Sequence, residues 1–157
     1  MVNKGYSLMT IVCGYQGIGK TTYCKNHTDA YDLDSSNYKK DDGWTKLYVD
    51  DAIKTLHKGF NKVFISAHQN VVNELLSRNL PDITIVVAIP KENKKAWEAR
   101  LRFRYEQCQK KYAFNALQDF LLNYDTDMQY YQKLKDNEKV SVIEVSARIC
   151  TNLSELL

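Results

Sequence analysis

The residues best suited to chemistry are Gly14-Tyr15-Gln16-Gly17-Ile18-Gly19-Lys20-Thr21, where glycines, a lysine and a hydroxyl stand at the spacing G-x-x-x-x-G-K-[ST]. That chemistry is the holding of phosphate. A loop wrapping a polyphosphate turns its backbone N–H groups inward, through angles that glycine adopts without steric cost. Gly19 allows close approach, and a helix opening near Lys20 aims its positive end and unpaired N–H groups at the same anion. The pattern assigns ATP contacts to Gly14, Tyr15, Gln16, Gly17, Ile18, Gly19, Lys20, Thr21 and Thr22. Lys20 would bridge the terminal phosphates and the Thr21 hydroxyl would ligate Mg²⁺. A glycine-rich turn without a ligand is the competing reading, and context weighs against it: the run Leu8–Cys13 is apolar and β-branched, as a central parallel strand should be, and Thr21–Lys25 continues as a helix.

Other candidates fall where strands are expected to end. Asp29–Asp34 alternates polar and apolar residues, a short strand that leaves Asp34 and Ser35 at its carboxyl end. In open α/β sheets ligands bind beyond that end. Asp34 there could orient or deprotonate an acceptor hydroxyl, hydrogen-bond a sugar, or hold Mg²⁺ through water; the plainer role is to turn and cap the chain. Asp32 and Ser36 rank below it. Ser66-Ala67-His68 follows the strand Val63–Ile65, and His68 either touches a substrate phosphate or hydrogen-bonds locally. No aspartate ends that strand, so magnesium would rest on Thr21, water and Asp34. Arg100 and Arg104, four residues apart on a helix, could clamp the transferring phosphoryl group with bidentate donors. A solvated basic helix is the alternative.

The elements that must position these groups follow from periodicity. Trp44–His57 carries Tyr48, Val49, Ala52, Ile53 and Leu56 at helical spacing, and Gln69–Arg78 reads as a further helix. Trp44 is either core or a surface for a base or sugar. Ile83–Ile89 is the most apolar strand and Pro90 stops it. Trp97, Leu101, Tyr105, Cys108 and Tyr112 make one helical stripe, Phe114 to Leu134 continues the helical pattern, and Val140–Val145 is a fifth strand. A loop at 148–152 would pass near the glycine loop and could hold the adenine, with a short helix after it.

The chain of 157 residues fits a single domain, long enough to bury about two thirds of its unfolded surface. A net charge of +3 suits an anionic substrate and is too weak to indicate general nucleic-acid binding. Cys13, Cys24, Cys108 and Cys150 have no metal-ligand spacing and read as reduced thiols. No signal peptide or membrane span is legible, so a cytoplasmic location is expected. A homodimer stays open.

Taken together, GYQGIGKTT, DLDSSNY, a Trp-containing helix, VFISAH, IVVAIP and WEARLRFR resemble the small kinases of the nucleoside monophosphate kinase superfamily. The chain is most similar to the short, phage-encoded deoxynucleoside monophosphate kinase or adenylate-kinase-like group, from Met9 to about Tyr105. The resemblance implies an α/β P-loop kinase fold, three layers with a five-stranded parallel sheet in the order 2-3-1-4-5 and helices on both faces. It also implies an acceptor-binding region at about 35–61 and an arginine-bearing lid at about 91–112. Carried over by motif, Gly14 to Thr21 bind ATP phosphates, Asp34 and Ser35 face the acceptor, and Arg100 and Arg104 belong to the lid. The expected activity is transfer of the γ-phosphoryl group of Mg-ATP to a (deoxy)nucleoside monophosphate. One departure is plain: no arginine occurs between Asp34 and His68, where many such kinases hold the acceptor phosphate. A hydroxyl acceptor, either a polynucleotide 5′ end or a shikimate-like small molecule, and a non-catalytic ATP-binding regulator are the alternatives.

Overall fold

The computed structural model describes residues 9–91, 93–146 and 157. Five short apolar or alternating runs form one parallel sheet: β1 (Thr10–Gly14), β2 (Ala30–Asp32), β3 (Lys62–Ser66), β4 (Thr84–Pro90) and β5 (Val140–Val145). They lie in the order β2-β3-β1-β4-β5, with helices on both faces. This is the expected topology, and its reason is visible in the side chains. Ile11, Val12, Cys13, Val63, Phe64, Ile65, Val87 and Ala88 are wholly buried, as strands covered on both faces require. The edge strands differ; β2 has only three residues and exposes Tyr31, and β5 is mostly half-exposed.

The helices are α1 (Lys20–Asn26), α2 (Trp44–His57), α3 (Gln69–Leu76), α4 (Lys94–Cys108) and α5 (Lys111–Leu134), with a single 3-10 turn at Ser35–Asn37. Tyr48, Val49, Ala52 and Leu56 of α2 are buried as their spacing predicts, and Ile53 packs at the margin. Gly43, at φ +84, caps the start of α2. In α1 it is Tyr23 that is buried, with Cys24 only partly so.

The stripe along α4 divides. Trp97 and Leu101 are buried in the core, whereas Tyr105 and Cys108 are half-buried and Tyr112, across the Gln109–Lys110 turn, is exposed. The first half of the segment expected to be a lid is therefore packed against the body of the protein, since a side chain with no exposed area cannot leave without opening a cavity. On α5, Leu117, Phe120, Tyr131 and Leu134 are core, but Phe114 and Leu121 face outward, so its apolar pattern covers more than one side of the helix. Cys13 is buried, Cys24 and Cys108 are half-buried, and all three are free thiols. Cys150, the loop at 148–152 and the terminal helix expected after it lie outside the described residues.

Register sets the site. Gly14 pairs with Ser66 on one side and with Ala88 on the other, and Asp32 pairs with Phe64. The carboxyl ends of β1, β2 and β3 thus form one rim, and every candidate group at a strand end opens onto it.

Candidate active site

The loop after β1 is built by its own side chains. Tyr15 and Ile18 are buried, so alternate residues of the turn anchor it while the glycines between carry the bend. The N–H of Ile18 closes onto the Tyr15 carbonyl at 3.0 Å. Gly17 sits at φ +82, and a Cβ there would lie 2.7 Å from Leu101 Cδ2, so both backbone conformation and the approach of α4 demand glycine. Gly19, at φ +108, caps α1. The first helical bond runs from the Tyr23 N–H to the Gly19 carbonyl at 2.9 Å, which leaves the N–H groups of Lys20, Thr21 and Thr22 ahead of the ladder. These donors, with open space over Gly19, fit a polyphosphate.

Lys20 extends toward the Gly14 carbonyl, 3.4 Å from its Nζ. Burial lowers its pKa, against the pull of Asp32 and Asp34 and with the push of Arg104. An ammonium so desolvated gains most from an arriving anion. The Thr21 hydroxyl donates to Asp32 at 3.0 Å, which leaves its oxygen lone pairs for a cation. Asp32, ranked below Asp34 in the sequence, is thus the carboxylate beside the expected magnesium ligand. No group of three or more His, Cys, Asp or Glu residues set to hold a metal occurs among the described residues, so Mg²⁺ would rest on Thr21, Asp32 and the phosphates themselves.

The rim residues open onto a cavity of about 870 Å³. Gly14, Tyr15, Gln16, Gly17, Lys20 and Thr21 line one side of it, and Asp34, Ser35, Ser66, His68 and Arg104 also reach it. Ile18, Gly19, Thr22 and Arg100 do not line it. Asp34 caps the 3-10 turn, accepting the Ser36 N–H at 2.9 Å, and remains exposed. The capping role read from sequence is met, and the same residue lines the cavity. Arg104 lies over the Tyr112 ring at 5.1 Å, whereas Arg100 donates to the Ser146 carbonyl at 3.2 Å and lies over Trp97 at 4.9 Å. The two arginines therefore diverge, Arg104 to the cavity and Arg100 to the end of β5.

Tyr48 aligns the acceptor side. From α2 its buried hydroxyl accepts the Ser66 N–H at 2.9 Å and donates to the Leu33 carbonyl at 2.7 Å, tying the end of β3 to the end of β2. The Ser66 hydroxyl and His68 Nδ1 are hydrogen-bonded, and Nε2 lies 3.9 Å from Asp119. His68 is accessible from the cavity, yet burial lowers its pKa below the ordinary value, and Asp119 only partly opposes this. It faces the cavity as a neutral ring, a poor ligand for phosphate and a serviceable partner for a hydroxyl.

Sequence reasoning missed the far wall. Tyr112, Asn115, Ala116, Asp119, Asp127 and Tyr131 reach the cavity from one side of α5. Gln16 joins that wall to the glycine loop: its Nε2 donates to Asp119 at 2.9 Å, and its carbonyl accepts the Trp97 indole N–H at 3.0 Å. Tyr15 meets Trp97, Phe120 and Tyr131 edge-on, at centroid distances of 6.4, 6.5 and 6.1 Å. The only prior signal was a polar series spaced by about one turn between apolar positions, which reads equally well as a solvated face.

A five-stranded parallel sheet in this order, with a G-x-x-x-x-G-K-T turn at the carboxyl end of its central strand, defines the fold of the P-loop kinases. Among solved structures the chain is similar to a gluconokinase from Sinorhizobium meliloti 1021, with a TM-score of 0.52 and 11% identity over 97% of this chain and 88% of that one. At that identity the similarity is one of fold. No protein-family model and no curated protein matches the chain. Among the described residues no helix is long and apolar enough to cross a membrane.

Proposed function

We propose that this protein transfers the γ-phosphoryl group of Mg-ATP to a small-molecule acceptor. The observation that carries the proposal is a single cavity that joins the glycine loop and Lys20 to a second wall bearing Asp34, Ser66 and His68. In this reading Lys20, Arg104 and the loop N–H groups neutralise charge on the transferring group, and Thr21 with Asp32 holds Mg²⁺. The lid is the outer part of the α4–α5 hairpin beyond Leu101, and the acceptor region begins at Ser35.

Two acceptor classes suit such a site. A (deoxy)nucleoside monophosphate is favoured by the sequence resemblance. A hydroxyl-bearing small molecule is favoured by a specific observation: among the described cavity-lining residues the sole arginine is Arg104, and the wall facing Lys20 presents the carboxylates of Asp34, Asp119 and Asp127. With a hydroxyl acceptor, the oxygen attacks the γ-phosphorus as the bond to the β-phosphate oxygen breaks. ADP keeps that electron pair, and Asp34 receives the hydroxyl proton and returns it to water.

The test is ADP formation from Mg-ATP across nucleoside monophosphates, nucleosides, sugars and oligonucleotide 5′ ends, with Lys20→Ala protein as the blank. Acceptor-dependent ADP, absent in the blank, supports phosphotransfer and names the class. Bound ATP with no stimulation by any acceptor favours a nucleotide-binding regulator instead.

A further inference from the structure

The cavity wall formed by α5 has the wrong sign for an anionic acceptor. Asp119 and Asp127 stand eight residues apart on that helix, about 12 Å along its axis, and both open into the cavity. With Asp32 and Asp34, four carboxylates line one cavity. The cations are fewer and already engaged. Lys20 and Arg104 lie on the ATP side, and Lys40 gives its ammonium to the carbonyls of Ser35 and Tyr38, the latter at 2.8 Å. Arg78, the nearest arginine in sequence after His68, is held by Glu74 and Asp50 at 2.8 and 2.7 Å and does not line the cavity. A phosphate dianion seated against this wall would meet like charge from Asp119 and Asp127.

A second, independent feature points to a ligand. Tyr15 lines the same cavity, and its hydroxyl is buried on a side chain only 2% exposed; Gln16 is beside it, but no group reaches it in hydrogen-bond geometry. Buried hydroxyls ordinarily find a partner, and one left open at a cavity wall is a vacancy of known polarity. Asp127 is similarly under-used: it accepts from the Gln69 amide at 3.3 Å, a long bond. Burial raises its carboxyl above the ordinary range, so keeping it there works against stability rather than for it. Asp119 accepts one bond on each oxygen, from Asn123 and from Gln16, with His68 Nε2 3.9 Å away, and keeps a lone pair on each for a further donor.

We propose that the acceptor is a neutral or cationic molecule rich in hydroxyl or amino hydrogens, which Asp127, Asp119 and the Tyr15 hydroxyl bind while Asp34 faces its reacting oxygen. This rests on the phosphotransferase reading above and narrows its substrate class. A carboxylate accepts several N–H or O–H donors at once and binds a ligand ammonium more strongly still. The proposal therefore distinguishes a nucleoside from its 5′-monophosphate and an amino sugar or polyol from the matching acid or phosphate.

The experiment compares those matched pairs as acceptors in Mg-ATP turnover, with direct measurement of ATP binding, on wild-type, Asp127→Asn and Asp127→Glu proteins. The expected result is turnover with the uncharged or amino-bearing member of a pair and little with its anionic counterpart. Asp127→Asn should raise the acceptor KM about tenfold or more, leave the ATP KM in place and keep or raise the melting temperature, with Asp127→Glu partly restoring the acceptor KM. A purely structural role for Asp127 would lower the melting temperature and leave the acceptor KM alone, which overturns the assignment. Turnover strongest with the anionic members overturns the inference and leaves the phosphotransferase reading standing. Wild-type protein that binds ATP but turns over with no acceptor overturns both.

Discussion

The two walls of the cavity are made in opposite ways. The ATP wall is one continuous stretch, Gly14 to Thr21, whose backbone supplies the donors and whose side chains either anchor the turn or carry one charge. The proposed acceptor wall is gathered from the ends of β2 and β3 and from one side of α5, with Asp34 and Asp127 93 positions apart. The first wall is cationic and local; the second is acidic and exists only when the chain is folded. A phosphate site of this kind is fixed by backbone geometry, whereas the identity of the acceptor is left to side chains that tertiary packing brings together.

Breaking the ATP wall should have the largest effect. Lys20→Ala is expected to lower kcat by about 10²–10³-fold or more and to weaken ATP binding, measured by initial rates and by calorimetric titration. Asp34→Asn attacks the acceptor wall. With a hydroxyl acceptor it should cost about 10²–10⁴-fold in kcat while ATP binding persists.

The seam between the walls is Trp97, fully buried and hydrogen-bonded to the Gln16 carbonyl. Trp97→Ala should destabilise by about 3–5 kcal/mol in a denaturant titration and loosen both walls together. Tyr48→Phe is a finer probe. It removes one oxygen and leaves the Ser66 N–H and Leu33 carbonyl unpaired, for a loss of about 1–3 kcal/mol.

The smallest expected effect is one of pH. Because burial depresses the His68 pKa, the folded protein holds a neutral ring while the unfolded chain takes up a proton near the ordinary value of 6.5. The associated stability is present above about pH 6.5 and declines as pH falls through the lowered folded value. Melting temperatures followed from about pH 7.5 to 5 should fall less steeply for His68→Asn than for the wild type.

How much of this was legible in the sequence divides along the same line. The glycine turn announces itself because its constraints are local: φ at Gly17 and Gly19, a lysine, a hydroxyl, and a buried strand before them. The sheet order was legible through the resemblance, and the strands through their apolar runs. Asp34, Ser35 and His68 could be placed at the cleft from strand ends alone. Asp119 and Asp127 could not, since nothing in helical spacing separates a polar residue facing a cavity from one facing solvent. Arg100 and Arg104 illustrate the same limit. They are neighbours on one helix face, yet the point where α4 leaves the body, just past Leu101, sends one to Ser146 and the other to the cavity.

The central claim is that these walls form one phosphotransfer site with separable halves. The most direct measurement sets Lys20→Ala beside Asp34→Asn, reading ATP binding and acceptor-stimulated ADP formation on each with the best acceptor of the panel. Lys20→Ala should lose both. Asp34→Asn should bind ATP as the wild type does and lose the stimulation; an Asp34→Asn protein that keeps acceptor-stimulated turnover would contradict the account.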